Sequence, residues 1–190
     1  MNKINRCLLL LLFYCSCISA KAQMYTKEKK YIRELYATVN KQLHSYQKDT
    51  VALWESLEGG YGIRCTKDTV PALMVGVYYG EMYRQRDEYY YDMGKLIFHI
   101  QFMYRYNRPM YYDKKSAKEN KDTEWFDEKK TKRLAKRFYF YNGRVFLITD
   151  EGEKNKKFSK EEMELLQKEI LQNEVKLKQH FFEEENTIKE

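Results

Sequence analysis

The sequence predicts an α+β fold: an antiparallel, curved meander of about six strands flanked by an N-terminal and a C-terminal helix. Three observations carry this. Apolar residues recur at three- and four-residue steps near both ends, alternate with polar residues through the middle, and are broken by turn residues where the period changes. After removal of an N-terminal leader, the remaining residues fit one domain, 23–190, able to build its own core.

The leader comes first in the chain. Lys3 and Arg6 precede a nearly unbroken apolar run from Cys7 to Ile18, and Ser19 and Ala20-Lys21-Ala22 supply small residues for cleavage, so 1–22 reads as a signal peptide. The run is about twelve residues, short of the roughly twenty that a membrane-crossing helix needs. The expected location is therefore secreted or periplasmic, with no transmembrane segment after cleavage. Cys7, Cys15 and Cys17 leave with the leader, so the processed chain holds Cys65 alone and no internal disulfide. A lipid anchor on Cys15 or Cys17 is disfavoured by the bulky residues before them.

From Lys27 to Gln47, Ile32, Leu35, Tyr36, Val39, Leu43 and Tyr46 form one stripe, with Lys29, Arg33, Lys41 and Lys48 mostly opposite: an amphipathic helix. Asp49 to Leu57 reads as a connector anchored by Trp54, and Gly59-Gly60 ends the helical period. Leu73, Val75, Val77 and Tyr79 then alternate. So do Leu96, Phe98, Ile100, Phe102, Tyr104 and Tyr106 on one side, against Lys95, His99, Gln101 and Arg105 on the other. Turns at Lys67-Asp68-Thr69, Arg84 to Asp87 and Asp92-Met93-Gly94 divide 61–106 into four strands.

Phe138 to Tyr141 and Arg144 to Thr149 flank Asn142-Gly143, the dipeptide that best accepts the positive φ angles of a two-residue hairpin turn. The segment Tyr90 to Phe98 echoes Tyr139 to Phe146 if one residue of slip is allowed in the turn. Between the two sets lies Asn107 to Lys136, in which the charged stretch 113–124 reads as a mobile loop and Trp125-Phe126 requires cover. Ser159-Lys160-Glu161-Glu162 has capping-box spacing. It opens a helix with Met163, Leu166, Ile170, Leu177 and Phe181 as its stripe, interrupted near Asn173 and Glu174 and fraying past Glu183.

These residues offer little chemistry. The full chain carries 35 basic and 28 acidic residues, and without the leader 32 against 28. That mild excess suits solubility and weak attraction to anionic surfaces, while a nucleic-acid binder concentrates its charge more strongly; no nucleic-acid partner is expected. His44, His99 and His180 fall on separate elements, and no metal-binding helix, nucleophile elbow or phosphate loop occurs. Cys65 with His99 as base is the best nucleophilic pairing available, and a buried strand cysteine is the simpler reading. No catalytic residue, metal site or cofactor is assigned.

The one compositional excess is tyrosine, 18 in all, with Tyr78-Tyr79, Tyr89-Tyr90-Tyr91 and Tyr111-Tyr112 in tandem. Neighbouring strand residues face opposite ways, so rings are expected on both faces of the sheet: one packed on the helices, the other mixed with Arg84, His99, Gln101 and Arg105. The candidate binding surface is Tyr91, His99, Gln101, Arg105 and Trp125, suited to a protein or glycan of the cell envelope.

Several stretches carry a resemblance: Ile32 to Tyr36 running on to Asn40, Glu58-Gly59-Gly60, Glu88 to Phe98, Tyr106-Asn107-Arg108-Pro109, and Tyr139 to Gly143. Together they resemble a family of uncharacterised secreted bacterial proteins that repeat Tyr-Tyr-x-x-Asn-Gly-Lys-Leu hairpins. The likeness spans Ile32 to Thr149. It implies export and a hairpin-rich fold and carries no activity or site; Asp92-Met93-Gly94 stands where Asp-Asn-Gly is usual. The functional expectation is a non-enzymatic binding or accessory module of the cell envelope, with a cell-envelope hydrolase or a structural, assembly role as alternatives.

Overall fold

The computed structural model describes residues 23–54 and 58–187; the expected leader and its three cysteines lie outside them. A helix, α1, occupies 23–41 and ends in a single 3-10 turn at Leu43–Ser45. Seven strands follow: β1 (Gln47–Leu53), β2 (Gly60–Lys67), β3 (Val70–Gly80), β4 (Tyr83–Asp92), β5 (Lys95–Arg105), β6 (Lys132–Tyr141) and β7 (Arg144–Asp150). A short helix, α2 (Lys114–Glu119), interrupts them, and α3 (Lys160–Thr187) closes the chain.

All seven strands form one open antiparallel sheet in the order of the sequence, each hydrogen-bonded to its chain neighbours. The count is seven, not six, because β1 occupies part of what reads as a connector. Val51 and Leu53 alternate with Thr50 and Ala52 there, but the polar Lys48-Asp49-Thr50 conceals a strand only half of which is buried.

The two faces are covered by different helices. On one, α1 lays Ile32, Leu35, Tyr36 and Val39 over Cys65, Leu73, Val75, Val77, Tyr90, Phe98, Ile100 and Tyr139. On the other, α3 lays Ile170, Leu177 and Phe181 over Val51, Leu53, Met74, Tyr89, Tyr91, Phe138 and Phe140. A sheet with apolar side chains on both sides must bury both. That requirement explains the tandem tyrosines: Tyr89 and Tyr91 serve the α3 face, and Tyr90 serves the α1 face.

Three hairpins share one geometry. The pairs Asp68-Thr69, Met93-Gly94 and Asn142-Gly143 all have positive φ at both residues, as a type I′ turn requires. In each, the third residue after the turn is left without a partner: Ala72, Ile97 and Phe146. Each is a bulge, and each reverses the alternation of its strand. Leu96 therefore joins the α3 face, not the face of Phe98. The hairpins at Asp92 and Tyr141 also share one register, Asp92 pairing with Lys95 as Tyr141 does with Arg144, with no residue of slip.

Segment 113–124 has a defined local fold. Asp113 caps α2 by accepting from the Ser116 amide. Asn107 ties down the return, its Nδ2 donating to the Trp125 carbonyl at 2.9 Å and its Oδ1 accepting from the Asp127 amide at 3.1 Å. Phe126 finds its cover edge-on against Tyr106.

The capping box forms as read from the sequence: the Ser159 amide donates to Glu162 Oε2, and the Glu162 amide donates to Ser159 Oγ. Close approach of α3 depends on Gly62 in β2. A Cβ there would stand 2.9 Å from Leu177 Cδ1 and 3.0 Å from Val51 Cγ2.

Candidate functional site

The five candidate surface residues do not form one open surface. Tyr91 is 4% exposed and His99 1%, both beneath α3. Gln101 is half-buried, Arg105 is exposed at the far end of β5, and Trp125 belongs to the excursion, where Lys114 Nζ sits 4.9 Å from its ring. Arg84 lies on the opposite face from His99, its guanidinium over Tyr104 at 4.3 Å. The expectation of an open tyrosine face failed for a physical reason: α3, long enough to cross from β7 to β1, needs that face to bury its own stripe.

Two polar clusters lie under the helices. Beneath α3, the buried Asp87 carboxylate accepts from Gln85 Nε2 at 2.6 Å, His99 Nε2 at 3.0 Å and Gln101 Nε2 at 3.2 Å. The His99 ring lies between Tyr89 and Phe138, and its Nδ1 is buried with no hydrogen-bond partner among the described residues. A cavity of about 160 Å³ adjoins this cluster, lined also by Lys136 and Asn173. Nearer the turns, Tyr91 donates to Glu174 at 2.9 Å, and Lys178 closes the same carboxylate.

Beneath α1, Arg86 Nε and the Tyr90 hydroxyl both donate to Glu88, at 2.6 and 2.7 Å, while Asn40 Nδ2 donates to the Tyr90 oxygen at 3.0 Å. Burial raises the ionisation of Tyr89, Tyr90 and Tyr91 well above the ordinary phenol value. Nearby carboxylates add to the effect: Asp87 for Tyr89, Glu88 for Tyr90 and Glu174 for Tyr91.

Cys65 and His99 are not brought together. Cys65 faces α1 and His99 faces α3. Burial pushes the Cys65 thiol up, the reverse of what an activated nucleophile needs. Among the described residues, no group of three or more His, Cys, Asp or Glu is placed to hold a metal ion, and no helix is long and apolar enough to cross a membrane.

A groove of about 610 Å³ lies between α1 and strands β5 to β7. Its floor is Phe98, Ile100 and Phe102, and its walls include Tyr36, Tyr139 and Thr149. Three arginines stand around it: Arg33 from α1, and Arg133 and Arg137 from β6. Arg133 and Arg137 project from the same side of one strand, about 13 Å apart at 3.3 Å per residue. Between them Ala135 is buried and paired with Phe102. Arg137 is bound to Glu151 at 2.7 Å, whereas Arg33 and Arg133 form no ion pair among the described residues. Arg133 instead lies over the Phe102 ring at 5.1 Å.

Sequence reading missed this groove because it starts the strand at Phe138. The run Lys132-Arg133-Leu134-Ala135-Lys136-Arg137 reads as solvated charge; the available signal is the alternation of Arg133, Ala135 and Arg137 with Leu134, Lys136 and Phe138. Compared with family models, curated proteins and solved structures, the chain matches none. The groove must therefore be interpreted through its own residues.

Proposed function

We propose that this is an exported, non-enzymatic binding module of the cell envelope, which receives its partner in the arginine-rimmed groove beside α1. One observation carries the reading. Both faces of the sheet are clad by helices, and the groove combines ligand-sized volume, aromatic walls and two guanidinium groups that form no ion pair among the described residues. Tyr36 of α1 and Tyr139 of β6 line this groove, while Tyr89 and Tyr91 serve as core.

The test is co-sedimentation of the processed chain with isolated cell-envelope fragments. Arg33→Ala combined with Arg133→Ala is expected to weaken association at least tenfold. Both side chains are exposed, so the melting temperature should stay within about 2 °C of the parent. Unchanged association would remove the proposal.

A second reading, a cell-envelope hydrolase, is favoured by the Asp87–His99 pair, since a carboxylate-oriented imidazole is how several hydrolases hold their base. The residues lining its cavity include no serine, threonine or cysteine to serve as nucleophile. Under this reading the parent protein turns over an envelope substrate and His99→Gln abolishes that turnover; under the binding reading neither protein shows any.

A further inference from the structure

We infer that the groove beside α1 binds an anionic saccharide, its carboxylate or phosphate held by Arg33 and Arg133. This rests on the binding reading above and names the ligand class. Charge gives the first half of the argument. Arg33 approaches from the helix and Arg133 from the sheet, while Arg137, the third guanidinium, is held by Glu151. The Arg133 guanidinium carbon rests 5.1 Å from the Phe102 ring centre, and a guanidinium without an ion-pair partner can form paired hydrogen bonds with an oxyanion.

The floor gives the second half. Phe98, Ile100 and Phe102 are 4%, 2% and 8% exposed, so they offer an acyl chain almost no apolar surface to cover. A lipid tail would gain little here by leaving water. A saccharide asks for something else: a shallow bed, hydroxyl partners and a ring edge. Thr149 and the phenol of the half-buried Tyr36 line the same groove and supply such groups. Its volume of about 610 Å³ lies within the range of small-molecule sites.

Calorimetric titration of the processed chain tests the inference with four probes: trigalacturonic acid for sugar carboxylates, glucose 1-phosphate for a sugar phosphate, maltotriose as the neutral analogue and inorganic phosphate as the bare anion. Saturable binding of either acidic saccharide is expected, with maltotriose silent and inorganic phosphate at least tenfold weaker. Which acid binds identifies the anionic group. Arg33→Ala and Arg133→Ala should each weaken it about tenfold or more, and Lys176→Ala, which removes an exposed charge from α3 on the other face, should not.

Binding of neither acidic saccharide, equal binding of maltotriose or of inorganic phosphate, or an equal loss in Lys176→Ala would overturn the inference. If it is overturned while envelope association still depends on Arg33 and Arg133, the binding reading stands with a different ligand. If that dependence is missing too, both fall.

Discussion

The Tyr91 hydroxyl donates to the Glu174 carboxylate at 2.9 Å, joining β4 to the middle of α3 across 83 residues of sequence. Glu174 is 6% exposed and shares its carboxylate with Lys178, so a charge buried under a helix is paired from both sides. Tyr91→Phe removes one donor and leaves the other. Equilibrium urea unfolding should show a loss of about 2 kcal/mol, in the range for a hydrogen bond to a charged group.

The tandem tyrosines also set an alkaline limit. Their folded ionisation lies above the unfolded phenol value of about 10, so the native state keeps protons that the unfolded chain releases above that pH. Their contribution to stability is therefore complete below about pH 10 and declines as pH rises beyond it, by about 1.4 kcal/mol per pH unit for each tyrosine. Urea midpoints between pH 9 and 11 should fall accordingly. In Tyr91→Phe the tyrosine-dependent part of that slope should shrink by about a third.

Thr69 occupies the second position of a type I′ turn at φ 75°, where a β-branched residue is strained. Thr69→Gly is expected to raise stability by about 1 kcal/mol. The same substitution mode explains why Gly94 and Gly143 stand at the matching positions, with φ of 75° and 74°. A denaturation midpoint equal to or below the parent's would mean that this turn is held differently.

Gly62→Ala should cost about 1–3 kcal/mol, because its methyl group would meet Leu177 and Val51 closer than van der Waals contact allows. Ser159→Ala, which removes half of the capping box, should cost about 1 kcal/mol. Thermal unfolding of the two variants checks how firmly α3 is seated and whether its first turn depends on the cap.

Local signals in the chain were reliable where a few adjacent residues decide the geometry. Asn142-Gly143 makes its turn and Ser159 with Glu162 makes its cap. What the chain did not reveal was long-range. Ile97 hides a bulge because Leu96, Ile97 and Phe98 are all apolar, so the period-two reading runs through it and sends Leu96 to the wrong face. Glu174 looks like a gap in an apolar stripe until Tyr91 supplies its donor. Arg133 and Arg137 look like ordinary surface charge until α1 comes to rest beside them, and Tyr91 and His99 look open until α3 covers them.

Hydroxyl-radical footprinting of the native chain, read residue by residue by mass spectrometry, tests most directly whether both faces of the sheet are covered. Tyr89, Tyr90, Tyr91 and His99 should be protected until the protein unfolds, while Trp54, Met93 and Tyr111, which are 81%, 91% and 68% exposed, are oxidised early. Oxidation of Tyr91 and His99 as early as Trp54 would show an uncovered face and contradict the placement of α3, and with it the assignment of binding to the opposite side.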